Sequence, residues 1–316
     1  MDQIGIGILL YPGAQLSAAM GLTDLFGIAS QIAERSDQGA PRLKIDTIEA
    51  DLAITEMTGA SEGQTDPYHA LILPPSLEAP IAADIAAPLA DWLKTRHGEG
   101  IVLASVCGGA FLLAETGLLD GRAATTHWIY AEDFRQRFPS VKLDTDRLII
   151  DSGDILSAGG LMSWTDLGLK LVDRFLGPVV MAQTARMMLV DPPGREQRYY
   201  SGFAPNLTHG DAAVLKAQHL LQAKEGREAR LATLAAQAGL EQRTLLRRFQ
   251  KATGMTTTEY AQRLRVSKAQ ELLQFGRLPV ERIAWDVGYS DAGAFHKVFQ
   301  RIVGLTPGEY RRRFRT

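Results

Sequence analysis

Residues 239–260 read GLEQRTLLRRFQKATGMTTTEY, and residues 288–310 read GYSDAGAFHKVFQRIVGLTPGEY. The two stretches are copies of one pattern, because the opening glycines, Gly239 and Gly288, correspond, and the closing TEY of the first copy is matched by GEY in the second. Each copy has a helix-forming run before the glycine and another after it. A helix, a tight turn with positive φ and a second helix form a helix-turn-helix unit. The repeat therefore predicts an all-α domain with two such units.

The composition indicates a globular chain of two domains. The protein has 316 residues, of which 46% are hydrophobic and 22% charged, and a chain of this length can build two separate cores. No apolar run approaches the length of a membrane span, which predicts that no membrane is involved. The opening MDQIGIGILLYPG is interpreted as a β-strand, because it lacks the basic flank of a signal peptide. Cys107 is the only cysteine, so no internal disulfide forms, as expected of a cytoplasmic protein.

Charge is distributed unevenly along the chain. Residues 1–225 contain 17 Lys and Arg against 28 Asp and Glu, whereas residues 226–316 contain 17 against 8. A basic segment joined to an acidic one is typical of a nucleic-acid contact. A solvated helical surface gives the same pattern, and charge alone does not separate these two interpretations.

The first part of the chain alternates between short apolar runs and stretches with helical spacing. The apolar runs are IGIGILL (4–10), LKIDTIEA (43–50), HALILPP (69–75) and GIVLASV (100–106), and LIIDSGDILSAGG (148–160) is interpreted as strand, turn and strand. This alternation predicts an α/β fold, a mostly parallel sheet flanked by helices, with ligands beyond the carboxyl ends of the strands. The predicted boundaries are 1–190 for the α/β domain, 191–210 for a linker and 211–316 for the all-α domain.

The second helix of each unit is predicted to lie in the major groove of double-stranded DNA, with its aromatic face buried. In the first copy the arginines offer bidentate forks to guanine, and the glutamine suits adenine or a phosphate. In the second copy Ala292 and Gly293 are too small to reach far, so we expect that copy to contact mainly the DNA backbone. The predicted DNA-binding residues are Arg243, Thr244, Leu246, Arg247, Gln250, His296 and Lys297.

One long helix is predicted between the copies, over TTTEYAQRLRVSKAQELLQFG (256–276). At about 1.5 Å per residue it spans roughly 30 Å, close to one turn of B-DNA, so the two reader helices could enter successive major grooves. A plain helical bundle would explain either copy alone. The duplication, with the same turn glycine twice, favours the DNA-binding interpretation.

These residues resemble the AraC-type DNA-binding domain over its full length, on GLEQRTLLRRFQKATGMTTTEYAQRLR and VERIAWDVGYSDAGAFHKVFQRIVGLTPGEYRRRF. The resemblance implies a transcription factor that binds duplex DNA. One departure is local. Members usually begin the first reader helix with Ser-Pro, whereas this chain has Glu241-Gln242, and glutamate is a weaker N-cap.

The stretch SVCGGAF (105–111) places Cys107 at a turn between a predicted strand and a predicted helix. There the helix dipole and the amides of Gly108 and Gly109 are expected to lower the pKa of the thiol and to hold an oxyanion. A catalytic thiol also needs a base, and His127 in TTHW is the candidate. The alternative is that Cys107 is a small buried hydrophobe and His127 a structural histidine.

Residues 1 to about 190 resemble the PfpI-like branch of the class I glutamine amidotransferase fold, on SVCGGAFLLAETGLLDGRAATTHW and SAGGLMSWTDLGLKLVDRFLG. Joined to the AraC-type domain, the chain is similar to the GlxA family of transcriptional regulators. The superfamily's enzymes pair the cysteine with a histidine and an acidic residue near the first helix. Here His127 matches the more distant histidine, but AQLSAAM (14–20) has no carboxylate, and Asp24 is the nearest acid. The resemblance therefore implies a sensor and not an enzyme.

The resemblance implies a small-molecule effector, nitrogenous in nature, and a homodimer through the α/β domain, with no cofactor and no metal. A cysteine hydrolase or amidase carrying a DNA-binding appendage is the alternative, and a role of the basic domain in protein assembly or RNA contact is a third. The predicted effector-binding residues are Pro74, Cys107, Gly108, Gly109, His127 and Trp128.

Overall fold

A computed structural model describes residues 3–37, 40–50, 68–227 and 229–315. The chain divides into two compact units, Met1–Gln197 and Arg198–Thr316. The division falls inside the segment 191–210, which the sequence predicts as a linker.

The first unit contains a six-stranded sheet, a two-stranded ribbon and five described helices. Its strands are β1 (Gln3–Leu10), β2 (Arg42–Glu49), β3 (Tyr68–Leu73), β4 (Val102–Val106), β5 (Ala123–Ala124), β6 (Lys142–Leu143), β7 (Ile149–Asp151) and β8 (Ile155–Ala158). Its helices are α1 (Leu16–Ser36), α2 (Ala83–Gly98), α3 (Gly109–Glu115), α4 (Ala131–Arg137) and α5 (Trp164–Met188).

The main sheet has the spatial order β2-β1-β3-β4-β8-β7, and β5 pairs with β6. Every neighbouring pair in the main sheet is parallel except β7 and β8, which form the predicted hairpin. The prediction of a mostly parallel sheet is confirmed. The carboxyl ends of β1, β3, β4 and β8 therefore lie at one edge, where Cys107 follows β4.

Helices cover both faces of this sheet because consecutive strand residues point to opposite sides. On β4, Ala104 packs in the cluster formed with α1 and α5, whereas its neighbour Leu103 packs in the cluster formed with α2 and α3. Each face has its own apolar core. The buried sheet thus supplies a rigid platform for residues at its carboxyl edge.

Helix α1 is the one helix among the described residues that is long and apolar enough to cross a membrane. Its apolar side is buried in the core beside the sheet, with Leu22, Leu25 and Phe26 fully enclosed. This packing explains its hydrophobicity, since the core helix of an α/β layer has the same composition as a membrane span.

Helix α5 is interrupted at Gly177-Pro178, and a further helical segment continues to Met188. Gly177 has φ 85° and ψ 166°, which is not helical. Pro178 then begins the second segment, because proline is tolerated in the first turn of a helix, where its missing N–H has no partner to lose.

The second unit is entirely helical within the described residues. Its helices are α6 (Ala212–Ala223), α7 (Leu231–Ala238), α8 (Gln242–Thr253), α9 (Thr257–Phe275), α10 (Val280–Asp286), α11 (Ala292–Val303) and α12 (Pro307–Phe314). Two cores share α9: one is formed by α6, α7, α8 and its beginning, the other by its end with α10, α11 and α12. The predicted all-α domain with two helix-turn-helix units is confirmed.

Candidate nucleic-acid interface and effector site

The first helix-turn-helix unit consists of α7, the turn at Gly239 and α8. Gly239 has φ 67° and ends α7 in the left-handed conformation, and its amide bonds back to the carbonyls of the helix. Helix α8 starts after Glu241, whose side chain makes no capping hydrogen bond. The sequence-based expectation of a weak cap at this position agrees with this geometry.

The second helix-turn-helix unit repeats this arrangement and consists of α10, the turn at Gly288 and α11. Gly288 has φ 88°. Here the reader helix is capped, because the Asp291 carboxylate accepts hydrogen bonds from the backbone N–H groups of Gly293 (3.2 Å) and Ala294 (2.7 Å). The two reader helices thus have the same length of twelve residues but different beginnings.

Both reader helices bury the predicted aromatic face. Phe249 is fully buried and packs edge-on against Tyr260 at 5.3 Å between ring centroids, and Phe299 packs in the same way against Tyr310 at 5.6 Å. The opposite face is open. The predicted contact residues that are exposed are Arg243, Leu246, Arg247, Gln250, His296 and Lys297, and Thr244 is half-buried.

The cations of α8 divide into two classes. Arg248 forms a double ion pair with Asp211, with Nε–Oδ2 at 2.9 Å and Nη2–Oδ1 at 2.6 Å, and this pairing lowers the pKa of Asp211 to about 2. It holds α8 against the start of α6. Within the described part of the chain, Arg243 and Arg247 make no ion pair, so their guanidinium groups are available to an outside partner.

Arg247 borders a cleft of about 500 Å³ that sequence reasoning did not foresee. The basic side chains that line this cleft are Arg247, the paired Arg248, Lys251 and His209. Lys251 lies one turn after Arg247 and contributes another positive charge. Its position four residues downstream on the same face is the signal that would have found it.

Cys107 occupies the predicted turn between β4 and α3, in a left-handed conformation with φ 53°. Its amide donates to the carbonyl of Ala158 at 2.8 Å, and its carbonyl accepts from the Thr126 hydroxyl at 2.7 Å. These two bonds hold a conformation that non-glycine residues rarely adopt. Gly109, two residues after Cys107, admits no side chain, because a Cβ there would lie 2.5 Å from the carbonyl oxygen of Leu73 and 2.8 Å from that of Pro74.

The thiol of Cys107 is only 2% exposed, and this burial raises its pKa to about 11, while the backbone amide of Gly108 acts in the opposite direction. The expectation that the turn would lower the thiol pKa is therefore wrong. A buried thiolate loses its hydration, and one amide does not replace it. At neutral pH the group is a protonated thiol.

Two tyrosines near the thiol were missed by sequence reasoning. Tyr11 donates its hydroxyl to the carbonyl of Pro74 at 2.5 Å, and burial, followed by the charge that Cys107 and Tyr130 would carry, raises its pKa. Burial and then Cys107 likewise raise the pKa of Tyr130. Tyr11 directly follows β1, whose carboxyl end lies at the same edge of the sheet as that of β4, and this was the available signal.

No carboxylate of the described residues contributes to the pKa of Cys107. Asp24 is exposed on α1, on the solvent side of that helix, so it does not take the place of the missing acid. His127 is also not a free base, because its Nδ1 accepts a hydrogen bond from the Ile129 amide at 3.1 Å. Burial lowers the pKa of His127, because burial disfavours the charged imidazolium.

The aromatic rings of His127, Trp128 and Tyr130 form a cluster beside the Cys107 turn. The His127 ring centroid lies 5.4 Å from that of Trp128 and 6.1 Å from that of Tyr130. The three are half-buried. The site therefore combines a neutral thiol, backbone amides and aromatic faces.

The chain matches two family models, DJ-1/PfpI family over residues 24–174 and Helix-turn-helix domain over residues 234–313. It is 29% identical to HTH-type transcriptional regulator GlxA of Rhizobium meliloti (strain 1021), over 71% of this chain and 72% of that protein. It is 27% identical to HTH-type transcriptional regulator CdhR of Pseudomonas aeruginosa, over 72% of this chain and 68% of that protein. Drosophila melanogaster DJ-1beta, a solved structure, is 14% identical, and the match covers 60% of this chain and 100% of that one with a TM-score of 0.45.

The two units and these relatives define a DNA-binding transcription regulator with a sensor-type α/β domain. The turn glycines, the buried reader-helix aromatics and the Cys107 elbow are the features that the two family models cover. The chain contains a DJ-1/PfpI domain followed by an AraC-type helix-turn-helix domain, and over most of its length it is similar to the transcriptional regulator GlxA.

Proposed function

We propose that the α/β domain binds a small nitrogenous metabolite beside the Cys107 turn, without chemical turnover, and that occupancy controls DNA binding by the helical domain. The observation that carries this proposal is the state of the thiol, which is buried and has a pKa of about 11, with no carboxylate of the described residues contributing to that pKa. The binding residues are then Pro74, Cys107, Gly108, Gly109, His127 and Trp128.

The surroundings of Cys107 favour an amine as the effector. Trp128 and Tyr130 present aromatic faces, and such faces attract ammonium and quaternary ammonium groups by cation–π interaction. The lowered pKa of His127 disfavours the positive charge that would repel such a ligand. A site of this kind selects a cation without a carboxylate partner.

The test is a thermal-shift screen of amino acids, betaines and polyamines against the full chain. A compound that binds only the folded form raises the unfolding midpoint. We expect Trp128→Ala to abolish the shift and Cys107→Ser to change its concentration dependence while leaving the response in place. The matched control is Trp92→Phe, since Trp92 is a buried tryptophan of the other face of the sheet. A shift unchanged in Trp128→Ala contradicts the proposed site.

Alkylation of Cys107 separates the sensor from the alternative cysteine hydrolase. Only the thiolate reacts, so with a pKa near 11 the rate with iodoacetamide should rise about tenfold per pH unit between pH 7 and pH 10. A plateau already at pH 7 would indicate an activated nucleophile and favour the hydrolase. The folded-state pKa is above the ordinary 9.0, so burial of the thiol stabilises the fold below about pH 9, and this contribution is lost as the pH rises towards 11.

The helical domain is proposed to contact bases of duplex DNA through Arg243, Arg247 and Gln250. Its His296 and Lys297 are proposed to contact the DNA backbone. The exposed, unpaired guanidinium groups on one face of α8 support this assignment. Helix α9, with 19 residues, spans about 28 Å, which suits entry into successive major grooves. Steep salt dependence with duplex is expected, and equal affinity for single-stranded RNA would contradict the proposal.

The regulator is further proposed to act in the cytoplasm as a homodimer joined through its α/β domains. Two copies would present two pairs of reader helices, and a paired operator would bind them together. Sedimentation of the full chain tests the state directly. A monomer at the concentration that saturates DNA would exclude a dimer as the active form.

A further inference from the structure

The last three residues of the first unit are each fixed by their side chains. Arg195 forms a double ion pair with Asp166, with Nε–Oδ1 at 3.0 Å and Nη2–Oδ2 at 2.5 Å, and Asp166 is only 3% exposed. Glu196 accepts from Arg147 at 2.9 Å. A segment that the sequence predicts as linker is therefore bound to the α/β unit.

Gln197 is the most deeply inserted of the three and is 2% exposed. Its Oε1 accepts a hydrogen bond from the Trp128 amide at 3.0 Å, and its Nε2 donates to the carbonyls of Thr126 and Thr145, both at 2.9 Å. The amide also packs against Gly159, where a Cβ would collide with it. One side chain thus forms hydrogen bonds with three backbone groups from two separate segments of the unit.

Two of these backbone groups, the carbonyl of Thr126 and the amide of Trp128, belong to the segment 126–128, which contains residues of the proposed effector site. Thr126, which accepts from Gln197 through its carbonyl, donates its hydroxyl to the carbonyl of Cys107 at 2.7 Å. Trp128, which donates to Gln197, follows His127. If the backbone at 126–128 moves, Gln197 cannot keep its hydrogen bonds to the Thr126 carbonyl and to the Trp128 amide together.

The residues that follow Gln197 are fixed within the second unit. Arg198 and Tyr199 lie against Gly304, where a Cβ would be 2.5 Å from the Nε of Arg198 and 2.7 Å from the Tyr199 ring. The Tyr200 hydroxyl accepts from Arg313 at 2.8 Å. Gln197 is therefore the last residue bound within the first unit, and Arg198 is the first residue packed within the second.

We propose that Gln197 is a latch through which occupancy of the Cys107 site controls the tether to the DNA-binding domain. This inference rests on the proposed function and specifies its regulation. A ligand that shifts residues 126–128 withdraws two of the partners of Gln197 and so weakens the attachment of residues 195–197 to the α/β unit. Release of these three residues adds on the order of 10 Å of reach, which changes how two reader domains of a dimer reach adjacent sites on DNA.

The rate of trypsin cleavage tests this proposal directly, since trypsin cleaves after arginine, and Arg195 and Arg198 flank Gln197. In the full chain, Gln197→Met keeps the length of the side chain but removes its hydrogen bonds. We expect cleavage at these two arginines, followed by mass spectrometry of the fragments, to accelerate at least about tenfold. The control is Gln136→Met, because Gln136 is an exposed glutamine of the same unit. An unchanged cleavage rate overturns the latch.

A double-mutant cycle tests the connection to Cys107. Thr126→Val removes the hydroxyl that bonds the Cys107 carbonyl, and it should accelerate cleavage several-fold in the wild-type background but not in Gln197→Met. Thr184→Val is the matched control, because Thr184 is equally buried and bonds the carbonyl of Val180 within α5. Additive effects of Thr126→Val and Gln197→Met overturn the coupling, as does an equal effect of Thr184→Val.

Compounds from the thermal-shift screen separate this inference from the proposed function. If a compound raises the midpoint but leaves cleavage at Arg195 and Arg198 unchanged, the latch is wrong and the effector site stands. If Gln197→Met and the cycle behave as expected while no amine binds, the latch stands and the assignment of the effector is wrong.

Discussion

The two helix-turn-helix units share their folding residues and differ in their outer surfaces. Both have a left-handed turn glycine, Gly239 or Gly288, and both reader helices bury a phenylalanine against a tyrosine. The first presents two arginines on its exposed face without a capping side chain, whereas the second is capped by Asp291 and begins with small residues. The two copies thus share the residues that folding requires and differ at the exposed positions of their reader helices.

The largest expected effect concerns the shared core. Phe249→Ala and Phe299→Ala should each lower the free energy of unfolding by about 3–5 kcal/mol, because both rings are fully buried. Guanidinium unfolding of the full chain, followed by far-UV circular dichroism, measures this. Leu246→Ala is the control, since this side chain is 39% exposed and its loss should cost less than about 0.5 kcal/mol. Clearly unequal losses at the two phenylalanines would show that the copies do not fold alike.

DNA binding should distinguish the copies next. Arg247→Ala is expected to cost about 1–3 kcal/mol of binding free energy and to relax preference at one base pair. Lys297→Ala should weaken all duplexes equally and lower the salt-dependence slope by about one. Fluorescence anisotropy with duplexes enriched from a random pool by the wild-type protein gives both numbers. If Arg247→Ala causes a uniform loss, then Arg247 contacts only phosphate and the contrast between the copies disappears.

The turn glycines provide a smaller and more even effect. Gly239→Ala and Gly288→Ala should each cost about 1–2 kcal/mol, because alanine is strained in the left-handed region. The loss at Gly288 should be the larger, since a Cβ there lies 3.0 Å from the Arg227 side chain, whereas Gly239 faces open space. Thermal unfolding of both variants measures the difference. The reverse order would contradict the packing described for Arg227.

The smallest expected effect is at the N-caps. Asp291→Ala should cost about 1 kcal/mol, because two backbone N–H groups lose their acceptor. Glu241→Asp in the other copy should gain roughly 0.5 kcal/mol, since a shorter carboxylate can accept from the first turn of α8. The thermal unfolding midpoints of the two variants show whether the cap stabilises the second copy independently of the features that the two copies share. A loss on Glu241→Asp would indicate that Glu241 has a role the cap geometry does not describe.

The helical unit was predictable from sequence because its signals are local. Leu245 and Phe249 lie four residues apart, and so do Phe295 and Phe299, which fixes the buried face without tertiary knowledge. The weak cap at Glu241 is likewise a property of a single residue. The strands of the α/β unit were recognised by the same local reasoning, and their mostly parallel pairing followed from the alternation with helices.

The surroundings of Cys107 were only partly predictable, since they depend on distant residues. The motif identified the turn, but Tyr11 approaches Pro74 across 63 positions of sequence, and only the sheet order brings them together. The predicted direction of the shift in the thiol pKa was wrong for the same reason, because burial by the whole fold outweighs the effect of the local amide. Gln197 was hidden in a segment with Pro and Gly on either side, which composition alone assigns to a linker.

Helix α9 has a consequence for the arrangement of target sequences. As an uninterrupted rod of 19 residues shared by both cores, it fixes the distance and the angular phase between the two readers. Inserting half a helical repeat of DNA, about five base pairs, between the two recognition elements would turn the second one to the far side of the duplex. Such a regulator tolerates base changes at single positions better than a change of spacing.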